Sequence, residues 1–110
     1  MTYKVTSHGK AFIVRIEADR LDIQNSPALK VELKRLLEGR PITLIVDFTR
    51  IQFVDSSGLG ALLAAVRVAS RSGGHIRVAG LSTNVQATFE LARLHRIFDI
   101  FPTEHEALAS

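Results

Sequence analysis

The spacing of apolar residues switches along the chain between the period of a strand and that of a helix. Tyr3 to Ser7 and Ala11 to Glu17 are short β-prone segments on either side of His8-Gly9-Lys10, where Gly9 can take the positive φ of a tight turn, so they predict an N-terminal hairpin. After Asp22, Asn25-Ser26-Pro27 offers an N-cap and a first-turn proline, and Leu29, Leu33, Leu36 and Leu37 follow at helical spacing up to Gly39. An amphipathic helix is predicted, with Lys30, Glu32, Lys34, Arg35 and Glu38 on much of its remaining surface.

Ile42 to Phe48 is nearly continuously apolar and rich in β-branched residues, as an interior parallel strand covered on both faces requires, and should form the centre of the sheet. A second apolar run, Ile51 to Val54, stops at Asp55-Ser56-Ser57-Gly58. Beyond it Leu59, Leu62, Leu63 and Val66 mark a helix to about Ser72, ended by Gly73-Gly74. His75 to Ala79 predicts another strand, Ser82 or Thr83 the cap of a third helix carrying Val85, Phe89 and Ala92, and Ile97 to Phe101 a last strand stopped by Pro102. Residues 103–110 can form a terminal helix that needs packing to persist. Strands alternating with helices after a hairpin predict an α/β domain: a mixed, mostly parallel sheet of four to five strands with helices packed on it.

Length and composition narrow this further. At 110 residues, 46% hydrophobic and 23% charged, the chain is expected to be one folded domain spanning 1–110. It has no cysteine, which excludes disulfides, thiolate nucleophiles and cysteine-based zinc sites. Its opening residues fit neither a signal peptide nor a membrane span, so the cytoplasm is the expected location and no membrane partner is expected. The charge of +3 is spread without a basic run, and direct nucleic-acid binding is not expected.

In open α/β sheets function gathers beyond the carboxyl ends of the strands, where Asp55-Ser56-Ser57-Gly58-Leu59-Gly60 stands at the entrance of a helix. Asp and Ser can cap backbone N–H groups there, and glycines allow close approach. A phosphoryl group on a serine would meet free N–H donors and the positive end of the helix dipole. Its charge of about −1.5 to −2, beside Asp55, would repel a docked partner. Two readings of the serines therefore stand side by side: helix caps, or a phosphoacceptor.

Enzymatic readings fail at the same residues. Gly58-Leu59-Gly60 lacks the third glycine or alanine of a dinucleotide fingerprint, and no P-loop lysine is present. A hydrolase elbow would need a glycine where Val54 stands. His8, His75, His95 and His105 are scattered without metal or acid-base spacing. No catalytic role, metal or cofactor is predicted. Ala61, Ala64, Ala65 and Val68 leave the second helix apolar nearly all round, fit either for burial or for docking a partner.

Residues 51–63, Ile-Gln-Phe-Val-Asp-Ser-Ser-Gly-Leu-Gly-Ala-Leu-Leu, resemble the signature of STAS-domain anti-sigma factor antagonists. The likeness covers nearly the whole chain, including the hairpin, Leu21-Asp22, the Ile42 to Asp47 strand and Gly73-Gly74. It implies that the unmodified protein binds an anti-sigma factor and frees a sigma factor. It also implies that the anti-sigma factor is an ATP-dependent serine kinase with a histidine-kinase-like fold that phosphorylates and releases the antagonist, and that a serine phosphatase resets the cycle. By this resemblance Ser56 is the phosphoacceptor, Asp55, Ser57, Gly58, Leu59 and Gly60 form the surrounding contact loop, and Asp22 and Asn25, with Leu21, form a second contact patch. The chain departs from the family in Asp19-Arg20, where Gly-Glu is frequent, and in Ala92-Arg93, where Ser-Gly is frequent. The alternative is a STAS scaffold or subunit in another signalling or transport assembly, which the intact Asp-Ser-Ser-Gly disfavours.

Overall fold

A computed structural model describes residues 2–110. Strands β1 (Tyr3–His8) and β2 (Ala11–Ile16) form the hairpin, with Gly9 in its turn at φ +62°. They run antiparallel with Tyr3 opposite Ile16 and His8 opposite Ala11. Strands β4 (Thr43–Asp47), β6 (His75–Ala79) and β7 (Asp99–Phe101) then add in parallel, giving the order β1-β2-β4-β6-β7. The apolar run chosen for the centre occupies it: Leu44, Ile45 and Val46 are all fully buried.

Alternation along the strands divides the core in two. Val14, Leu44, Val46 and Val78 point to the face covered by α1 (Ser26–Leu37), α2 (Ser56–Ser72) and α3 (Thr83–Leu91), whereas Ile13, Ile45 and Ala79 point to the other. On the first face Phe89 packs edge-on to Phe48 with ring centroids 5.8 Å apart, and its ring lies 5.9 Å from that of Phe98. Helices α1 and α2 lie side by side. Ala61, Leu62, Ala65, Val68 and Ala69 of α2 are buried, and Leu63, Ala64 and Val66 half-buried, so its all-round apolarity mostly serves packing. Gly73 ends α2 at φ +74°, donating its N–H to the Ala69 carbonyl.

The second face carries α4 (Glu104–Ala109), so residues 103–110 do gain the packing that a helix this short needs. Ala107 is fully buried over Ile13, Ile45 and Ala79. Arg15 forks onto Glu104 at 2.6 and 2.8 Å, and Arg77 donates to the Ala107 carbonyl at 2.7 Å. No helix among the described residues is long and apolar enough to cross a membrane.

Two details of the strands differ from the sequence reading. A further two-residue strand, β3 (Arg20–Leu21), pairs with β5 (Phe53–Val54); both are too short to leave a periodic trace. The last strand begins at Asp99 rather than Ile97, because Leu94–Arg96 form a 3-10 turn. That turn is entered through Arg93 at φ +60°, a left-handed conformation costing a side-chain-bearing residue roughly 1–2 kcal/mol.

Candidate functional site

Beyond the carboxyl end of the main sheet, β3 and β5 pair in parallel, Arg20 opposite Phe53 and Leu21 opposite Val54. The Gln52 N–H donates to the Asp19 carbonyl at 2.7 Å and the Asp55 N–H to the Leu21 carbonyl at 3.1 Å, extending the pairing at both ends. Residues 19–25 are thereby fixed beside residues 52–60, and every candidate contact residue falls on one edge of the domain.

Asp55 is the N-cap of α2. Its Oδ1 accepts the Gly58 N–H at 3.0 Å and the Ser57 hydroxyl at 2.5 Å. The Ser57 hydroxyl, then the Gly58 N–H, with smaller help from the Ser57 and Ile23 amides, hold the Asp55 carboxyl below the usual aspartate range. Its negative charge is therefore a fixed feature of the loop at neutral pH. The two serines are not equivalent. Ser57 is half-buried with its hydroxyl committed to Asp55, whereas Ser56 is exposed and its hydroxyl takes part in no hydrogen bond among the described residues. Ser56 opens the helix, where backbone N–H groups lack intrahelical partners.

The two loop glycines also differ. Gly58 is buried, and a Cβ there would stand 2.9 Å from Leu21 Cγ, the Leu21 carbonyl oxygen and Val54 Cγ1, so glycine lets α2 start against β3 and β5. A Cβ on Gly60 would meet nothing within 4 Å, and Gly60 is exposed inside a helix, where glycine is unfavourable. Gly60 lies instead in a groove of about 330 Å³ between the first turns of α1 and α2, with Ile23, Pro27, Lys30, Ser57 and Ala61. Leu59 is half-buried and packs against the core.

Asp22 and Asn25 build the turn into α1. Asn25 occupies the N-cap position but does not cap with its side chain, contrary to the expectation from Asn25-Ser26-Pro27. Its amide oxygen accepts the Asp22 N–H at 2.9 Å and its NH₂ donates to the Arg20 carbonyl at 2.7 Å, because the strand ending at Leu21 leaves those groups unpaired just upstream. The Asp22 carboxylate accepts the Gln24 N–H at 3.0 Å, and its carbonyl accepts the Ser26 N–H at 2.8 Å.

Two exposed apolar side chains at this edge escaped the sequence reading: Ile23, 68% exposed, and Phe53, 39% exposed with the Arg20 guanidinium 4.3 Å from its ring centroid. Ile23 sits alone among polar residues and Phe53 inside an apolar run, so neither shows an outward-facing pattern. Chemically the edge offers a display surface. Among the described residues no group of three or more histidines or acids could hold a metal. Asp55 Oδ1 is bonded to Ser57 and Gly58, and among the described residues no base is hydrogen-bonded to the Ser56 hydroxyl.

Comparison with known proteins bears on the family and the fold. The family model for the STAS domain matches residues 2–107. The anti-sigma F factor antagonist of Paenibacillus polymyxa is 26% identical over 102 residues, covering 92% of this chain and 86% of the relative. The anti-sigma-B factor antagonist of Listeria monocytogenes is 29% identical over 103 residues, covering 92% and 85%. The unphosphorylated anti-sigma factor antagonist SpoIIAA superposes with a TM-score of 0.83 at 22% identity, covering 96% of this chain and 92% of that one. The phosphorylated form, from Bacillus, superposes with a TM-score of 0.76, covering 97% and 96%.

Proposed function

The chain belongs to the STAS domain family, and we propose that within it this protein is an anti-sigma factor antagonist switched by phosphorylation of Ser56. The observation that carries the reading is the state of Ser56: exposed, unbonded, at the first position of α2, and set among Ile23, Phe53 and the groove at Gly60. The unmodified edge suits docking, since apolar side chains supply contact area and Gly60 lets a partner approach the helix backbone.

Phosphorylation changes charge more than shape. The phosphate adds about −1.5 to −2 charges, which the helix N-terminus tolerates. It stands next to Asp55, whose lowered pKa keeps that carboxylate ionised, so an acidic or apolar partner surface meets repulsion and a desolvation cost. The kinase in this scheme is the anti-sigma factor itself, a serine kinase with a histidine-kinase-like fold that moves the γ-phosphoryl group of ATP to the Ser56 hydroxyl and leaves ADP. A serine phosphatase restores the binding form. Asp22 and Asn25 shape the adjoining surface, Ser57, Gly58 and Leu59 hold the loop, and this cycle places the protein in the cytoplasm. The chain is then a ligand and a substrate, with no catalytic residue of its own.

A pull-down from the host's lysate with wild type, Ser56→Ala and Ser56→Glu as baits tests this. With ADP, wild type and Ser56→Ala should retain a kinase-like ATPase that Ser56→Glu loses, and ATP should release wild type but not Ser56→Ala. Equal retention by all three baits whatever the nucleotide would reduce Ser56 to a helix-opening residue and end the switch reading.

A further inference from the structure

The other end of the domain carries a second exposed cluster that the switch does not use. Helix α3 starts beside the Ser56 edge, where Asn84 donates to the Gln52 carbonyl at 3.0 Å, and runs back along the sheet. Its far end and the 3-10 turn reach the level at which β6 begins, since Ile97 borders a groove with Gly73, Gly74 and His75. In this connection Leu94 and Phe98 are buried anchors, each 3% exposed. The residues around them face outward: Leu91 is 87% exposed, Ile97 is 50% exposed, and Arg93, His95 and Arg96 are exposed.

The fold uses the backbone of Arg93 to enter the 3-10 turn but gives neither the Arg93 nor the Arg96 side chain an ionic partner among the described residues. Arg93 holds φ +60°, a position that glycine would take without strain. No acid lies between Leu91 and Ile97, though Glu90 and Asp99 bracket the stretch. An unpaired guanidinium flanked in sequence by two exposed aliphatic side chains, on a backbone position that glycine would hold without strain, suits recognition, because arginine enriches interfaces and forks onto carboxylates.

We propose that residues 91–97 form a second docking surface, for an acidic protein segment that sets carboxylates against Arg93 and Arg96 and an aliphatic side chain against Leu91 and Ile97. An anionic bilayer is the poorer fit, since lipid-binding clusters ordinarily carry about 4–8 lysines or arginines and this one has two arginines. The surface lies at the opposite end from Ser56, so both can be occupied at once, and the inference stands independently of the switch. The same chain can then be held at one end while its partner is exchanged at the other.

The test is an NMR titration of the uniformly ¹⁵N-labelled chain with a synthetic peptide of glutamates around a central leucine, beside a lysine-for-glutamate control peptide and phosphatidylserine-rich vesicles. The expected result is amide shifts confined to residues 91–97 with the acidic peptide alone, weakened by salt and roughly tenfold by Arg96→Glu or Arg93→Gly. Arg93→Gly also relieves the left-handed backbone, so its melting temperature should hold or rise, which separates lost docking from lost folding. Shifts centred elsewhere, unchanged binding in both variants, or binding to vesicles but not to the acidic peptide would overturn the proposal.

Discussion

Two aspartates stand at the ends of strands that are consecutive in the chain, β4 and β5, and live in opposite circumstances. Asp55, after β5, is held by its own neighbours in sequence, the Ser57 hydroxyl and the Gly58 N–H, which lower its pKa and keep it charged at the surface. Asp47, the last residue of β4, is only 9% exposed; burial and then the adjacent Glu104 push its pKa up, against the bonds it accepts from the Thr49 N–H and hydroxyl. Glu104 is held below the usual glutamate range, first by the Arg15 guanidinium. Arg15 in turn stands opposite Asp47 in the β2–β4 register. The first acid shapes a loop without burying it, which leaves the loop free to be read. The second turns its carboxylate back onto Thr49, beside the Arg15–Glu104 fork that ties α4 to the sheet.

The sharpest break in this contrast is Gly58→Ala. The new methyl would stand 2.9 Å from a backbone oxygen and two packed side chains, and the junction of β3, β5 and α2 has to shift. A loss of about 2–3 kcal/mol is expected, read as a lower urea midpoint at unchanged slope.

Next is Glu104→Gln on the other face. Arg15 has 37% of its side chain exposed and Glu104 22%, so solvent screens the fork, and the expected loss at neutral pH is about 1 kcal/mol rather than that of a sealed pair. The sign follows from the lowered pKa. Glu104 stabilises the fold above the ordinary glutamate range, and that contribution disappears as pH falls through its lowered folded value. Wild type and variant should therefore melt apart at neutral pH and together in acid.

Gly60→Ala is expected to move stability the other way. Its methyl enters open space, and removing a glycine from a helix gains about 0.5–1 kcal/mol. If the groove at Gly60 admits a partner, the same methyl weakens capture of the kinase-like ATPase in the pull-down while the protein becomes more stable. A gain in stability with full capture would remove Gly60 from the interface and leave Ser56 untouched.

What could be read in the sequence divides along the same line. The hairpin, the central strand and the helices α1, α2 and α3 are written in local periodicity, and Asp55-Ser56-Ser57-Gly58 is a contiguous run whose bonds close within three residues. The pairing of β3 with β5 joins residues 33 apart through two pairs, and the Arg15–Glu104 fork spans 89 residues, so neither has a local signal. Asn25 misled because a residue that commonly caps also satisfies a turn, and only the position of the Arg20 carbonyl decides between them. Ile23 and Phe53 become visible as a surface only once β3 and β5 lie side by side.

Asp55→Asn is the subtlest test, because asparagine caps a helix about as well as aspartate and only the charge is removed. A lowered folded pKa means that the charge stabilises the fold above the ordinary aspartate range and ceases to do so as pH falls through the folded value. The small excess in wild-type melting temperature at neutral pH should accordingly close in acid. An excess that survived acid would mean that asparagine fails to reproduce the bonds to Ser57 and Gly58, making the loop's shape rather than its charge the thing lost. The double variant with Ser56→Glu carries the point into function. If like charge at the loop expels the partner, Ser56→Glu with Asp55→Asn should recover part of the binding that Ser56→Glu loses, since the repelling carboxylate beside the mimic is gone.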